Sequence, residues 1–182
     1  MKELAIFGST GSIGCSTLNV VRRHRDRFAV SILAAGRNLQ RLIEQIREFN
    51  PRHVYIIGEK DAAVLKALFP GLDIYRGEDG MDKVSRLTDF DIGVSALVGV
   101  AGLRPTWNMI NNGKTVALAN KEVLVAGGRL VMEAARKQGA ALLTVDSEHS
   151  AIMQCLRGEN HGEIERILLT ASGGPFFDRE IT

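Results

Sequence analysis

The sequence has few of the residues that cross-link or stiffen a chain, with two cysteines, four prolines and one tryptophan among 182 residues. Cys15 and Cys155 are far apart and each lies in a helix-like segment, which argues against a disulfide framework and favours a reducing, cytoplasmic compartment. The uncharged run from Ile92 to Leu103 is too short to span a bilayer and contains glycines, and the amino terminus shows no signal-peptide pattern. We therefore expect no membrane association.

An excess of charge of one sign is also missing. The 23 Lys and Arg residues are interleaved with 21 Asp and Glu residues, giving a formal net charge of +2. Without a basic stripe the sequence predicts no nucleic-acid partner. Repeats and low-complexity tracts are absent too, and a hydrophobic content of 45% is enough for a globular core.

Glycine is plentiful, and three glycines mark the most informative stretch of the chain. Gly8 to Gly14 reads GSTGSIG and lies between the apolar run Leu4 to Phe7 and a helix-like segment. This order predicts a strand, a tight turn and a helix, whose free N–H groups and positive dipole end attract a dinucleotide pyrophosphate. The spacing G-x-x-G-x-x-G departs from G-x-G-x-x-G, and a tight turn without a ligand is the alternative.

The rest of the chain alternates short apolar runs with helical patterns, which predicts an α/β fold with a Rossmann-like, mainly parallel sheet and helices on both faces. Strands are expected at 4–7, 28–34, 54–57, 72–75, 92–97, 115–119, 141–145 and 166–171. The later predicted helices include 81–87 and 121–138, the second with a break at Gly127-Gly128. A change in composition near Asp146 predicts a first domain at 1–145 and the start of a second at 146–182.

The end of the second predicted strand indicates which dinucleotide is bound. An acid there would select NAD, whereas a basic residue accommodates the 2′-phosphate of NADP. The segment reads Ala34-Ala35-Gly36-Arg37-Asn38 and holds no acid. Arg37 therefore favours NADP over NAD, although a solvated charge at a helix start is the alternative.

Charged residues follow two later strands, where open parallel sheets bind ligands. Lys121 lies between Asn120 and Glu122 at a helix start that disfavours a cation, so it either contacts a substrate phosphate or hydroxyl or pairs with a neighbour. Asp146 and Glu148 can point to the same side of an extended segment and make half of a Mg²⁺ or Mn²⁺ site. Their alternative roles are a helix cap and a first-turn acid.

Four motifs taken together closely resemble 1-deoxy-D-xylulose 5-phosphate reductoisomerase, and the likeness runs from the first strand to the end of the chain. The motifs are GSTGSIG at 8–14, ANKE at 119–122, VDSEHSAI at 145–152 and LTASGGP at 169–175. The resemblance implies NADPH, a divalent cation (Mn²⁺ or Mg²⁺), a sugar phosphate substrate and a homodimer. It also implies reductive isomerisation of 1-deoxy-D-xylulose 5-phosphate to 2-C-methyl-D-erythritol 4-phosphate for non-mevalonate isoprenoid synthesis.

The resemblance also assigns roles to individual residues. The implied NADPH-binding residues are Thr10, Gly11, Ser12, Ile13, Gly36, Arg37, Asn38, Asn120 and Glu122. Those implied to bind substrate are Lys121, Ser147, Glu148 and Ser172, with Lys121 and Glu148 also catalytic. Asp146 and Glu148 would bind the metal, and 146–182 would begin a catalytic α+β domain. Further site residues of the family lie beyond Thr182, so we expect this chain alone to be inactive.

Two other functions are the alternatives to this one. A different NADP-dependent reductase would need a cysteine nucleophile or a Tyr-x-x-x-Lys pair, and neither pattern occurs. A nucleotide-sensing or interaction domain without catalysis would bind nucleotide but show no dependence on a divalent ion.

Overall fold

The computed structural model of the chain describes residues 1–169, so the substrate-binding prediction for Ser172 lies outside the described residues. The strands are β1 (Lys2–Phe7), β2 (Phe28–Ala35), β3 (His53–Ile56), β4 (Asp73–Arg76), β5 (Ile92–Ser95), β6 (Thr115–Leu118) and β7 (Leu142–Thr144). The α-helices are α1 (Ser12–Arg23), α2 (Leu39–Phe49), α3 (Glu59–Leu68), α4 (Gly77–Ser85), α5 (Leu103–Asn111), α6 (Glu122–Gln138) and α7 (Ser147–Leu156). Short 3-10 helices span Gly99–Gly102 and His161–Glu163.

The seven strands form one sheet in the order β4-β3-β2-β1-β5-β6-β7. The pairs from β4 through β6 are all parallel, because each strand is followed by a segment that returns the chain to the same end of the sheet. The strand order reverses between β1 and β5, and ligands of such sheets bind beyond the carboxyl ends of the strands at that point. The predicted α/β, Rossmann-like fold is confirmed.

Helices cover both faces of the sheet, as the alternation predicts. Along β1, Leu4 and Ile6 pack into one core cluster while Ala5 and Phe7 pack into the other, because successive side chains of a strand point to opposite faces. The first cluster also buries apolar side chains of α1, α2 and α3. The second buries those of α4, α5 and α6. The core therefore lies in two layers around β1.

Three predicted elements differ from the structure. Helix α4 begins at Gly77 rather than at 81, because Glu78 and Asp79 form an acidic first turn that the helix dipole favours. Strand β5 ends at Ser95, and the residues after it turn into the 3-10 helix. Residues 166–169 are not assigned to a strand, and the rest of the strand predicted at 166–171 lies outside the described residues. The break in α6 is confirmed at Gly127, whose φ of −145° is not helical.

Residues Met1–Leu143 form one compact unit, and a second begins at Thr144. Within the second unit the Ser150 hydroxyl donates to the Thr144 carbonyl oxygen at 2.8 Å and so connects α7 to the start of that unit. Within residues 1–169, none of the helices combines the length and the apolar character needed to cross a membrane.

A polar network closes the amino-terminal edge of the sheet, where β2 and β3 begin. The Asp89 carboxylate accepts hydrogen bonds from Arg52 Nε at 3.0 Å and Ser31 Oγ at 3.1 Å, and it contacts His53 Nε2 at 2.9 Å. Burial favours the neutral carboxyl, but the hydrogen bonds from these side chains and the charge of His53 outweigh it and lower the pKa of Asp89. The network connects the loop before β5 to β2 and β3.

We expect Asp89→Asn to lower the free energy of unfolding at pH 7 by about 1 to 2 kcal/mol, since the side chain is partly exposed and its partners stay in place. The folded-state pKa is lowered, so this stabilisation is complete above the unfolded-state pKa and is lost as the pH falls through the folded-state value. Urea unfolding between pH 3 and 7 measures it. The control Asp26→Asn, at an exposed aspartate outside this network, should change stability by less than about 0.5 kcal/mol.

Candidate functional site

The glycine turn between β1 and α1 is fixed by backbone hydrogen bonds. The backbone N–H groups of Gly8 and Ser9 both donate to the Ala34 carbonyl oxygen, at 2.8 and 2.9 Å, and Gly11 N donates to the Gly8 oxygen at 3.1 Å. Gly8 has a φ of +96°, a conformation that side chains other than glycine rarely adopt. The turn is therefore anchored to the end of β2 and closed on itself.

The three glycines of the turn serve different purposes. A Cβ at Gly8 would lie 2.4 Å from the Ala96 carbonyl oxygen, and one at Gly14 would lie 2.3 Å from the Gly8 oxygen. Both glycines are thus required for packing of backbone against backbone. A Cβ at Gly11 would meet only the Gly8 oxygen, at 3.4 Å, which is ordinary contact. Gly11 is exposed, so this glycine leaves room for a ligand to approach the backbone.

The amino terminus of α1 is suited to bind an anion. Gly11 occupies the N-cap position, no side chain caps the helix, and its first turn contains no acidic residue. Within residues 1–169 the N–H groups of Ser12 and Ile13 donate to no backbone carbonyl. Such N–H groups, together with the helix dipole, favour a phosphate. Thr10, Gly11, Ser12 and Ile13, predicted to bind the pyrophosphate, therefore lie at or just before this uncapped helix start.

The predicted ribose-binding residues follow β2 at the same end of the sheet. Gly36, Arg37 and Asn38 are all exposed, and Arg37 forms no ion pair within the described residues. Asn38 also has a structural role, because its side-chain oxygen accepts from Arg41 N at 3.1 Å and caps α2. Arg37 is therefore the residue of the three that is available for an anion.

A cavity of about 770 Å³ opens beyond the carboxyl ends of β2, β3 and β5. Its size falls within the range of small-molecule sites. It is lined by Ala35, Gly36, Tyr55, Ile57, Glu78, Met81, Leu97, Val98, Val100, Ala101, Arg104 and Pro105. Burial, and to a lesser extent the charge of Glu78, raise the pKa of Tyr55, so its phenol stays neutral.

Sequence reasoning missed this cavity. Its mostly apolar wall is assembled from the ends of β2 and β3, from α4 and α5, and from the loop after β5. Val98 and Val100 in that loop are 88% and 70% exposed, which is unusual for valine. In the sequence, apolar residues in a glycine-containing loop after a strand are the signal that could have pointed to the cavity. An aromatic ring would bury this surface.

Asn120 after β6 holds this loop in place. Its side-chain nitrogen donates to the Leu97 and Gly99 carbonyl oxygens, at 2.6 and 2.7 Å, and only 3% of the residue is exposed. A Cβ at Gly102 would lie 2.4 Å from the same nitrogen, so loop and amide are in tight contact. Asn120, which was predicted to bind the cofactor, thus fixes the position of the loop that lines the cavity. Lys121 and Glu122 are exposed at the start of α6.

The predicted metal ligands lie in the second unit, at the start of α7. Asp146 occupies the N-cap position, but its side chain forms no capping hydrogen bond. Its Oδ1 lies 3.8 Å from His149 Nδ1, and Ser147 Oγ donates to Glu148 Oε2 at 2.7 Å. Across residues 1–169 no group of three or more His, Cys, Asp or Glu residues could hold a metal ion. The metal-binding role of Asp146 and Glu148 therefore stays a prediction.

The sheet brings most of the predicted cofactor residues to one edge. The segments 10–13, 36–38 and 120–122 each follow a strand of the same parallel sheet, and contacts connect the glycine turn with the end of β2 and with the segment after β5. The segment 146–148 belongs to the second unit.

Comparison with known proteins gives consistent matches. The sequence model for 1-deoxy-D-xylulose 5-phosphate reductoisomerase matches residues 4–128, and the model for that enzyme's C-terminal domain matches residues 142–182. The chain is 49% identical over 179 residues to the reductoisomerase of Geotalea uraniireducens and 53% identical over 178 residues to that of Prosthecochloris aestuarii. Each alignment covers 97% of this chain but 46% and 47% of the relative, so the chain spans about half their length.

Solved structures of similar proteins give the same result. The reductoisomerase from Zymomonas mobilis in complex with NADPH superposes with a TM-score of 0.89 at 39% identity, covering 98% of this chain and 48% of that one. A DOX-P reductoisomerase in complex with NADPH, fosmidomycin and magnesium superposes with a TM-score of 0.81 at 38% identity, covering 86% of this chain and 39% of that one.

Proposed function

Because the chain belongs to the 1-deoxy-D-xylulose 5-phosphate reductoisomerase family, we propose that residues 1–145 are its NADPH-binding domain and that residues 146–182 begin its catalytic domain. The reaction that we propose for the full-length protein is the NADPH- and metal-dependent conversion of 1-deoxy-D-xylulose 5-phosphate to 2-C-methyl-D-erythritol 4-phosphate. The chain spans about half the length of its relatives, and we propose that it binds cofactor but does not turn over alone.

The observation that carries the proposal is the arrangement at the carboxyl edge of the sheet. The uncapped start of α1 offers N–H groups to a pyrophosphate, and Arg37 offers a positive charge to a 2′-phosphate. The neighbouring cavity of about 770 Å³ has an apolar wall for the adenine ring. The relatives that superpose on this chain hold NADPH, in one case together with magnesium.

Asp146 and Glu148 are the proposed metal ligands. Carboxylate oxygens are the ligands that Mg²⁺ and Mn²⁺ prefer, and the two acids lie two residues apart at the start of α7. When bound, the metal would polarise a carbonyl and stabilise a developing alkoxide, and NADPH would supply the hydride. Ser147 orients the Glu148 carboxylate through its hydroxyl. Lys121, at the start of α6, would contact the anionic substrate.

The other assignments remain proposals of the same kind. Ser172 would bind substrate, Glu122 would line the cofactor site, and the full-length protein would be a homodimer in a reducing, cytoplasmic compartment.

Titration with NADPH and NADH, each with and without Mn²⁺, tests the proposed function. We expect NADPH to bind at least tenfold more tightly than NADH, a difference of about 1.4 kcal/mol. Tighter binding of NADH would refute the role of Arg37. If Mn²⁺ does not bind, the chain is better described as a nucleotide-binding domain without chemistry. An assay of NADPH oxidation with substrate tests the proposed inactivity, and ordinary turnover by the isolated chain would contradict it.

Gly11→Ala should separate binding from stability. Its Cβ fits the folded chain but would project toward the pyrophosphate, so we expect NADPH affinity to fall about tenfold while the free energy of unfolding changes by less than about 1 kcal/mol. NADPH fluorescence titration and urea unfolding measure the two quantities. Gly71→Ala, at an exposed loop position with open space around its Cβ, is the matched control and should change neither. Unchanged NADPH affinity in Gly11→Ala would place the pyrophosphate elsewhere.

A further inference from the structure

Two side chains of α2 reach the glycine turn from its far side. Gln45 Nε2 donates to the Ser9 carbonyl oxygen at 2.9 Å, and Arg41 Nη1 donates to the Thr10 carbonyl oxygen at 3.2 Å. The two residues are one helical turn apart, so they share a face of α2. Gln45 is only 6% exposed, whereas Arg41 is exposed. The buried contact is therefore the one shielded from water.

The Ser9 carbonyl group is held from several directions. Besides Gln45, the Cys15 thiol contacts the Ser9 oxygen at 3.7 Å. The backbone of Gly14 packs so closely that a Cβ there would lie 2.6 Å from that oxygen. Within the described residues, the hydrogen bond from Gln45 is the only short one that the Ser9 oxygen accepts. The Gln45 amide therefore sets the direction in which this carbonyl points.

The direction of this carbonyl determines that of the next N–H group. A trans peptide is planar, so the Ser9 C=O and the Thr10 N–H belong to one rigid unit and point in opposite directions. No peptide bond among residues 1–169 is cis. With the Ser9 oxygen turned toward Gln45, the Thr10 N–H is turned away from α2. Within the described residues this N–H donates to no backbone carbonyl.

We propose that Gln45 is a positioning residue for the cofactor, which acts through the Ser9–Thr10 peptide to aim the Thr10 N–H at the pyrophosphate of NADPH. This inference rests on the proposed function, because it presupposes that the glycine turn binds the pyrophosphate. Preorganised N–H groups bind an anion more tightly because the turn need not reorient on binding. Arg41 supports the same turn one peptide further along.

The competing explanation is that Gln45 merely satisfies a buried carbonyl. The two explanations differ in what a variant does to ligands with and without a pyrophosphate. Gln45→Met keeps the size of the side chain but removes the donor. If Gln45 positions the turn, the variant loses affinity for NADPH and keeps its affinity for adenosine 2′-monophosphate, which has no pyrophosphate. If its role is structural only, both affinities fall together or neither changes.

The experiment is calorimetric titration of the 182-residue chain and its variants with both ligands, alongside thermal unfolding. We expect Gln45→Met to weaken NADPH roughly tenfold and adenosine 2′-monophosphate less than about twofold. The matched control Gln40→Met removes the same group from an exposed position on α2 and should change neither affinity. If Gln45→Met does not fold, Gln45→Leu, which also lacks the donor and carries no charge, is measured against the same criteria.

The outcomes separate this inference from the proposed function. If the unmodified chain fails to bind NADPH, the proposed function itself is wrong. If the unmodified chain binds NADPH and the Gln45 variants bind it equally well, or lose both ligands in proportion, the positioning role of Gln45 is overturned.

Discussion

Gly8→Ala is expected to lower the free energy of unfolding by about 3 kcal/mol or more, the largest stability effect among the substitutions considered. Two costs add at this position. A φ of +96° is strained for alanine, which costs about 1 to 2 kcal/mol. The new Cβ would also lie 2.4 Å from the Ala96 carbonyl oxygen, and overpacking against backbone costs about 1 to 3 kcal/mol.

Two further alanine variants separate these costs. Gly139 has a φ of +65° and open space around its Cβ, so Gly139→Ala carries only the conformational cost. Gly14→Ala carries only the steric one, since its Cβ would lie 2.3 Å from the Gly8 oxygen without a positive φ. Urea unfolding of all three measures the result. A loss in Gly8→Ala no larger than in Gly139→Ala would mean that the turn moves away from the loop after β5.

Arg37→Ala is expected to weaken NADPH binding by about 10- to 100-fold, because a hydrogen bond to a charged group contributes about 1.5 to 3 kcal/mol. The affinity for NADH, which lacks the 2′-phosphate, should change by less than about twofold. Parallel fluorescence titrations with the two nucleotides measure this. Since Arg37 is exposed, salt should weaken NADPH binding to the unmodified chain more than binding to the variant.

Arg47→Ala is the matched control for Arg37→Ala. Arg47 is an exposed arginine in the last turn of α2, so its removal changes the net charge equally but at the far end of the helix. We expect it to leave both affinities within about twofold, because exposed charges more than about 10 Å apart are largely screened at ordinary ionic strength. Equal losses in the two variants would reduce the role of Arg37 to general attraction of an anion.

Individual residues show how far sequence reasoning reached in the site. The order of apolar run, glycines and helical pattern predicted β1, the glycine turn and the start of α1, because glycine spacing and hydrophobic periodicity are local properties. The hydrogen-bonding roles of Asn38 and Asn120 were harder to predict from the sequence. Asn38 caps α2 with its side-chain oxygen, and Asn120 holds the loop after β5 with its amide. Both tasks depend on where the amide points, which a residue name does not tell.

By itself the sequence determined the alternation of strands and helices, the burial of β1 on both faces, the place of the glycine turn and the break in α6. These features follow from periods of two and 3.6 residues and from the special backbone freedom of glycine. Only the tertiary structure decided that Gly8 and Gly14 are required for backbone packing while Gly11 leaves room for a ligand. It also decided that Gln45 donates a hydrogen bond to the turn. Those roles depend on contacts between distant segments of the chain, and such contacts form only when the sheet assembles and the helices pack on it.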